Sequence, residues 1–182
     1  MILVNSEQGE NKKMICCGFG HRVMLMDVEK PLRAVLERLV EDRGVRVFYT
    51  GGMGEFDELF TRTVRSMKRE CPSLRLVLVM PYLTHKIAIG KKEDGTMYGG
   101  QIARATSAGP GRCWYEALYD EILIPAELDG VHPKAAIGLR NRWMVDRSDI
   151  VIAALHRDFG GAADAVRYAE SAKKEIIRMR NG

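Results

Sequence analysis

Apolar positions along the chain follow two rhythms. Short, nearly continuous runs over 14–17, 45–49, 74–80, 121–124, 150–155 and 175–179 read as strands. The run over 74–80 is apolar almost throughout, as in a parallel strand buried on both faces. Between these runs the spacing changes to a helical one. Leu32, Val35, Leu36, Leu39 and Val40 form one stripe, and Phe56, Leu59, Phe60, Val64 and Met67 form another. Asp27 is a candidate N-cap, Pro31 fits the first helical turn, and Gly44 marks the helix end. Further helices are predicted over 113–119, over 132–147 with Ala136, Leu139 and Trp143 on one face, and from Gly160-Gly161 to about 173. The order is β-α-β-α-β, a long interruption, then α-β-α-β-α-β. Such alternation predicts a doubly wound α/β fold, with a mostly parallel sheet and helices on both faces.

The interruption over 84–112 carries Gly90, Gly95, Gly99, Gly100, Gly109 and Gly111 with few apolar anchors. It reads as a structureless loop, a form that is uncommon in compact domains unless it is functional or disordered. A flap over a pocket edge, contributing Tyr98 or Arg104, is one use for it. An insertion without a role is the other. Residues 1–13 read as a flexible leader, and 14–182 as a single domain containing that loop. At 182 residues the chain suits one such domain.

Composition sharpens the picture at one point. Glycine is in excess, with 18 in the chain. Seven of these fall in three predicted strand-end turns: Gly18 and Gly20; Gly51, Gly52 and Gly54; Gly160 and Gly161. In a doubly wound sheet all three turns would meet at the carboxyl edge, where ligands bind. Helices starting after Gly54 and Gly161 would offer free N–H groups there, which makes an anion site. The net charge of +4 fits an anionic small molecule. Mixed signs along the chain and 7% aromatics disfavour nucleic acid as a partner. No metal site is read: the cysteines Cys16, Cys17, Cys71 and Cys113 lack CxxC spacing, so they give no support for zinc or a redox dithiol. No apolar run approaches bilayer length, and the start lacks a signal-peptide core, so a cytoplasmic location is expected.

The candidate ligand-binding residues are Gly18, Gly20, His21, Arg22, Gly51, Gly52, Arg142, Gly160 and Gly161. Arg22 could grip a phosphate with two parallel hydrogen bonds, and His21 could donate or exchange a proton. Their ordinary alternatives are a surface arginine and a satisfied loop histidine. Glu55, Asp57 and Arg140 are the candidate catalytic residues. Helix N-terminal charge is the competing role for the two acids, and a solvated helix face for Arg140 and Arg142. Neither nucleotide fingerprint is intact. No GxxxxGK[ST] occurs, and Val23 stands where GxGxxG needs its last glycine.

Four segments occur in a telling order: Gly18-Phe19-Gly20-His21-Arg22; Gly51-Gly52-Met53-Gly54-Glu55-Phe56-Asp57; Arg140-Asn141-Arg142-Trp143-Met144-Val145-Asp146; and Gly160 to Tyr168. Together they resemble the YpsA-like branch of the SLOG superfamily, named after the Smf/DprA and LOG proteins. The resemblance covers about 14–179 and implies a Rossmann-like domain that binds a nucleotide or a nucleotide-derived, ADP-ribose-like molecule. LOG members cleave the N-glycosidic bond of a nucleoside monophosphate through P-G-G-x-G-T-x-x-E. Gly160 and Gly161 match its glycine pair. Phe159, Ala163 and Asp164 depart from it, and Arg167 stands where the catalytic glutamate would be. Glycoside cleavage relies on carboxylates at the reacting centre. The resemblance therefore points to a binding or ligand-sensing module. The alternatives are an N-glycosidase or nucleotide hydrolase using Glu55 or Asp57 with an arginine, and, ranked last, nucleic-acid binding. No cofactor beyond a nucleotide-like ligand is implied, and a homo-oligomer is compatible with the sequence.

Overall fold

The computed structural model describes residues 13–82, 88–91, 97–100 and 118–180. The chain alternates β1 (Met14–Gly20), α1 (Glu29–Glu41), β2 (Val45–Thr50), α2 (Glu55–Lys68) and β3 (Arg75–Val79). Two short strands follow, β4 (Ala88–Lys91) and β5 (Met97–Gly100). Then come β6 (Glu121–Leu123), a single 3-10 turn at Ala126–Leu128, α3 (Pro133–Arg147), β7 (Ile150–Ala154), α4 (Gly161–Ser171) and β8 (Glu175–Arg178). Six strands form one sheet in the order β6-β3-β2-β1-β7-β8, and every pairing in it is parallel. The chain winds outward from β1 in one direction and returns to β7 on its other side. The order therefore reverses between β1 and β7, the place where such sheets open a crevice.

Each central strand sends alternate side chains to opposite faces. On one face Cys16, Phe48, Leu76, Ile150 and Ile152 pack against α1 and α2. On the other, Cys17, Phe19, Val47, Val77 and Val151 pack against α3 and α4. The predicted α1 stripe is the buried one: Leu32, Leu36, Leu39 and Val40 lie inside. In α2 the inner residues are Phe56, Phe60, Val64 and Met67.

Three expectations need correction. First, β1 does not stop at 17. Gly18, Phe19 and Gly20 continue the strand and pair with Ile152, Ala153 and Ala154 of β7. The glycines are strand residues because α2 lies directly on them. A Cβ on Gly18 would come within 2.8 Å of the Phe60 ring, and one on Gly20 within 2.3 Å of the Phe56 ring.

Second, the stretch over 84–112 is not wholly structureless. Ala88, Ile89, Gly90 and Lys91 pair antiparallel with Gly100, Gly99, Tyr98 and Met97. The overlooked sequence signal is Asp94-Gly95 between two short segments carrying Ile89 and Tyr98. The flap residue Arg104, the side chain of Tyr98, residues 113–117 of the helix expected over 113–119 and residues 1–12 of the leader expected over 1–13 lie outside the described residues, while Leu118 and Tyr119 are not helical.

Third, α3 buries Ala136, Arg140, Asn141, Met144 and Val145 rather than the face through Leu139 and Trp143. Leu139 is 39% exposed. Two polar residues displace the apolar stripe because the inner face of this helix serves the crevice.

Close packing of α2 on β1 makes Gly20 intolerant of a side chain. Gly20→Ala is expected to cost roughly 1–3 kcal/mol by overpacking, read as a lower Tm. The loss should shrink in a Phe56→Leu background, because the two sites share one contact. An unchanged Tm for Gly20→Ala would contradict this packing.

Candidate functional site

At the carboxyl ends of β1 and β7 lies a cleft of about 300 Å³. Gly18, Gly20, His21 and Arg22 line it from the end of β1, Gly51 from the β2–α2 turn, Asp57 from the first turn of α2, and Gly160 and Gly161 from the start of α4. Arg140 closes it from α3. The remaining candidates stand elsewhere. Gly52, at φ +65°, packs toward Leu78. Glu55 is used locally: its carboxylate accepts from Met24 N at 2.7 Å, and its own N–H donates to Arg22 O at 2.9 Å. Arg142 is exposed, with its guanidinium 5.2 Å from the Tyr168 ring centroid, in a neighbouring groove between α3 and α4.

Arg140 is the dominant group. It is 3% exposed, although its sequence position favours a solvated helix face. One terminal nitrogen donates to Val79 O at 2.8 Å, and the other lies 3.4 Å from Met53 Sδ. Its Nε is buried with no hydrogen-bond partner among the described residues. Gly51 is glycine because the guanidinium lies against it; a Cβ there would stand 2.3 Å from a guanidinium nitrogen. Burial pulls the Arg140 pKa down, while nearby Asp57 opposes the shift. The group stays cationic, since arginine does not deprotonate in proteins.

Asp57 is buried in the same wall, and burial raises its pKa above the usual carboxylate value. The Met53 N–H, the Arg140 charge and the Thr50 hydroxyl each oppose that rise and are outweighed. Asp57 accepts from Met53 N at 2.6 Å. This bond holds the turn one residue ahead of the Gly54 N-cap of α2. No side chain caps α2 itself, and the N–H of its first residue, Glu55, is taken by Arg22 O.

The start of α4 has no such backbone acceptor on its first N–H among the described residues. No side chain caps it, and its first backbone bond runs from Asp164 N to Gly160 O. Gly160 adopts φ +97°, which favours glycine, and Asn141 Nδ2 donates to Gly161 O at 3.3 Å to fix the turn. The first-turn N–H groups of α4 are therefore left for a ligand in the cleft.

His21 is buried at 4% exposure, with Nε2 at 3.2 Å from Arg157 O. Its ring meets that of His156 edge-on, with centroids 4.3 Å apart, and His156 Nδ1 is buried without a partner among the described residues. Burial first, then the nearby His156 and Arg157, lower the His21 pKa against its bond to Arg157 O. Arg157, absent from the sequence candidates, lines the cleft beside Arg22. Its signal was a cation two residues beyond the end of an apolar strand. The cleft thus holds three guanidinium groups and one carboxyl whose ionisation is disfavoured, a balance that suits an anion. Among the described residues, no group of three or more His, Cys, Asp or Glu could hold a metal ion. No helix among them is long and apolar enough to cross a membrane.

No protein-family model matches the chain. A curated relative, the uncharacterized SPbeta prophage-derived protein YoqJ of Bacillus subtilis strain 168, is 23% identical over 158 residues, or 80% of this chain and 82% of the relative. Among solved structures, DNA processing protein A from Helicobacter pylori aligns with a TM-score of 0.56 at 18% identity over 93% of this chain. DNA processing protein A (DprA) from Streptococcus pneumoniae aligns at 0.60 and 12% over 94%. This chain spans 66% of the first of these proteins and 52% of the second. A molybdenum cofactor binding protein from Rippkaea orientalis aligns at 0.51 and 16% identity, with 94% of this chain and 79% of that one covered. These likenesses establish the Rossmann-like α/β fold. They also overturn the expectation that disfavoured nucleic acid as a partner: the Helicobacter pylori protein with this fold has a single-stranded DNA binding mode. Charge mixing and a low aromatic count therefore do not exclude nucleic acid as a partner.

The His21 environment gives a pH dependence. Between its lowered folded value and the usual histidine value of about 6.5, the unfolded chain binds more protons than the folded one. Stability therefore rises with pH across that window and is lost as pH falls through it. Tm measured from pH 7.5 down to 5.5 should drop, and His21→Gln should flatten the drop. An undiminished slope in the variant would exclude His21 as its source.

Proposed function

We propose that this chain binds a nucleotide or nucleotide-derived, ADP-ribose-like molecule in the β1/β7 cleft, acting as a binding or ligand-sensing module of the YpsA-like kind. The observation that carries this reading is the uncapped first turn of α4 in one cleft with the buried Arg140 guanidinium and its unpartnered Nε. A phosphate fits both: backbone donors at a helix start and a fixed cation out of reach of bulk water. The cleft volume sits at the low end of ligand pockets, about 300–1,000 Å³, which suits a phosphate with its sugar. Arg22 and Arg157 at the rim then meet further phosphate oxygens.

A second reading is single-stranded nucleic acid, favoured by the fold shared with the Helicobacter pylori protein. Both readings use the same phosphate chemistry, and they separate by salt. An oligonucleotide spanning several cations loses affinity steeply with ionic strength, and a mononucleotide loses far less. Turnover, as an N-glycosidase or hydrolase, would fall to Asp57 with Arg140, since the Glu55 carboxylate is held by Met24 N.

Gly161→Asp tests the site without unfolding it. Gly161 has no positive φ, and a Cβ there meets only Asn141 Nδ2, at 3.9 Å. An acid at this position also favours a helix start. A nucleotide at a hundredfold excess over Kd should raise the wild-type Tm by about 5–10 °C. Gly161→Asp should keep the unliganded Tm and lose the shift. A shift that survives the substitution would contradict phosphate binding at α4.

A further inference from the structure

Phe159 is 61% exposed and is the one aromatic among the exposed large apolar side chains of the described residues. A single exposed phenylalanine is ordinary in itself. Its surroundings are not. The Arg157 guanidinium lies 4.7 Å from the ring centroid, and Arg157 lines the cleft. The next residue, Gly160, also lines the cleft and opens the helix that offers the phosphate donors. The Arg157 backbone is itself held, since His21 Nε2 lies 3.2 Å from its carbonyl oxygen. The ring is thus placed by a cation at the rim of an anion site, with most of its surface uncovered.

The other cation–ring pairs among the described residues lack this arrangement. Trp143, under Arg147, donates from Nε1 to Glu127. Tyr168, under Arg142, donates its hydroxyl to Asp146. Both rings are tethered by their polar atoms. Phe159 has no polar atom to satisfy, and leaving its apolar area in water is unfavourable.

We propose that Phe159 is the stacking platform for the base of the ligand, with Arg157 holding the ring from behind. This rests on the phosphate reading of the cleft and adds the part of the ligand that reading leaves open: a flat, aromatic group attached to the sugar phosphate. Stacking on a phenyl ring is tolerant of base identity because every base has a π-face. The platform therefore selects base-bearing phosphates over bare sugar phosphates without choosing among bases. It serves a free nucleotide and one nucleotide of a single strand alike.

Isothermal titration with AMP, ribose 5-phosphate and a short oligodeoxythymidylate separates these outcomes. In the wild type AMP should bind at least tenfold tighter than ribose 5-phosphate. Phe159→Ala should weaken AMP about tenfold and leave ribose 5-phosphate within twofold, and Phe159→Trp should restore AMP binding. The exposed position keeps both variants folded, which an unchanged Tm would verify. Tighter binding of the oligonucleotide than of AMP, lost equally in Phe159→Ala, would assign the platform to a single strand. AMP binding unaffected by Phe159→Ala would overturn the platform and leave the phosphate site standing, as would equal wild-type affinities for AMP and ribose 5-phosphate. Failure of all three ligands to bind the wild type would overturn the phosphate reading, and the platform with it.

Discussion

The cleft is organised around a charge that the fold has removed from water. Burying a guanidinium is costly unless hydrogen bonds replace its hydration. Arg140 meets that condition in part, through Val79 O and the Met53 sulfur, and leaves its Nε without a partner. Several other features follow from where the guanidinium lies. Position 51 must lack a side chain. The β2–α2 turn is drawn tight by Asp57 accepting from Met53 N. The helix that delivers Arg140 also delivers Asn141, which fixes Gly161 at the start of α4. One buried cation thus links the ends of β2 and β3 to the helix start that lines the cleft.

A second constraint sets where this happens. Parallel strands wound in opposite directions from β1 leave a gap between the segments that follow β1 and β7. The glycines of β1 let the aromatic face of α2 approach that strand closely, so Phe56 and Phe60 fill the space a side chain would take. The glycine excess therefore has more than one cause. Gly18 and Gly20 serve helix packing, Gly51 makes room for Arg140, and Gly160 supplies a positive φ before α4.

The fold was largely legible because its signals are local and repetitive. Apolar runs and 3.6-residue stripes located the six strands of the main sheet and the four described helices, and their alternation implied a parallel sheet. The small hairpin was missed because glycine richness hid an Asp-Gly signal between two short segments. The site was legible only in outline. Glycine turns pointed to the sheet edge, but the burial of Arg140 against the exposure of Arg142 depends on which face of α3 turns inward. That choice is made by tertiary packing, and the apolar pattern through Leu139 and Trp143 suggested another face. Glu55 and Asp57 look equivalent at a helix start, yet one binds the 21–28 loop and the other accepts from Met53 N in the cleft wall. Arg157 offered only a cation just past an apolar strand, and the orphaned His156 Nδ1 gave no local pattern to read.

A crystal structure of the protein soaked with a nucleoside monophosphate tests the central claim most directly. The account predicts phosphate density within hydrogen-bond reach of the backbone N–H groups of Gly161 and Ala162, on the side of the cleft that Arg140 closes. A nucleotide held elsewhere on the surface, with the first turn of α4 bound to solvent alone, would contradict it.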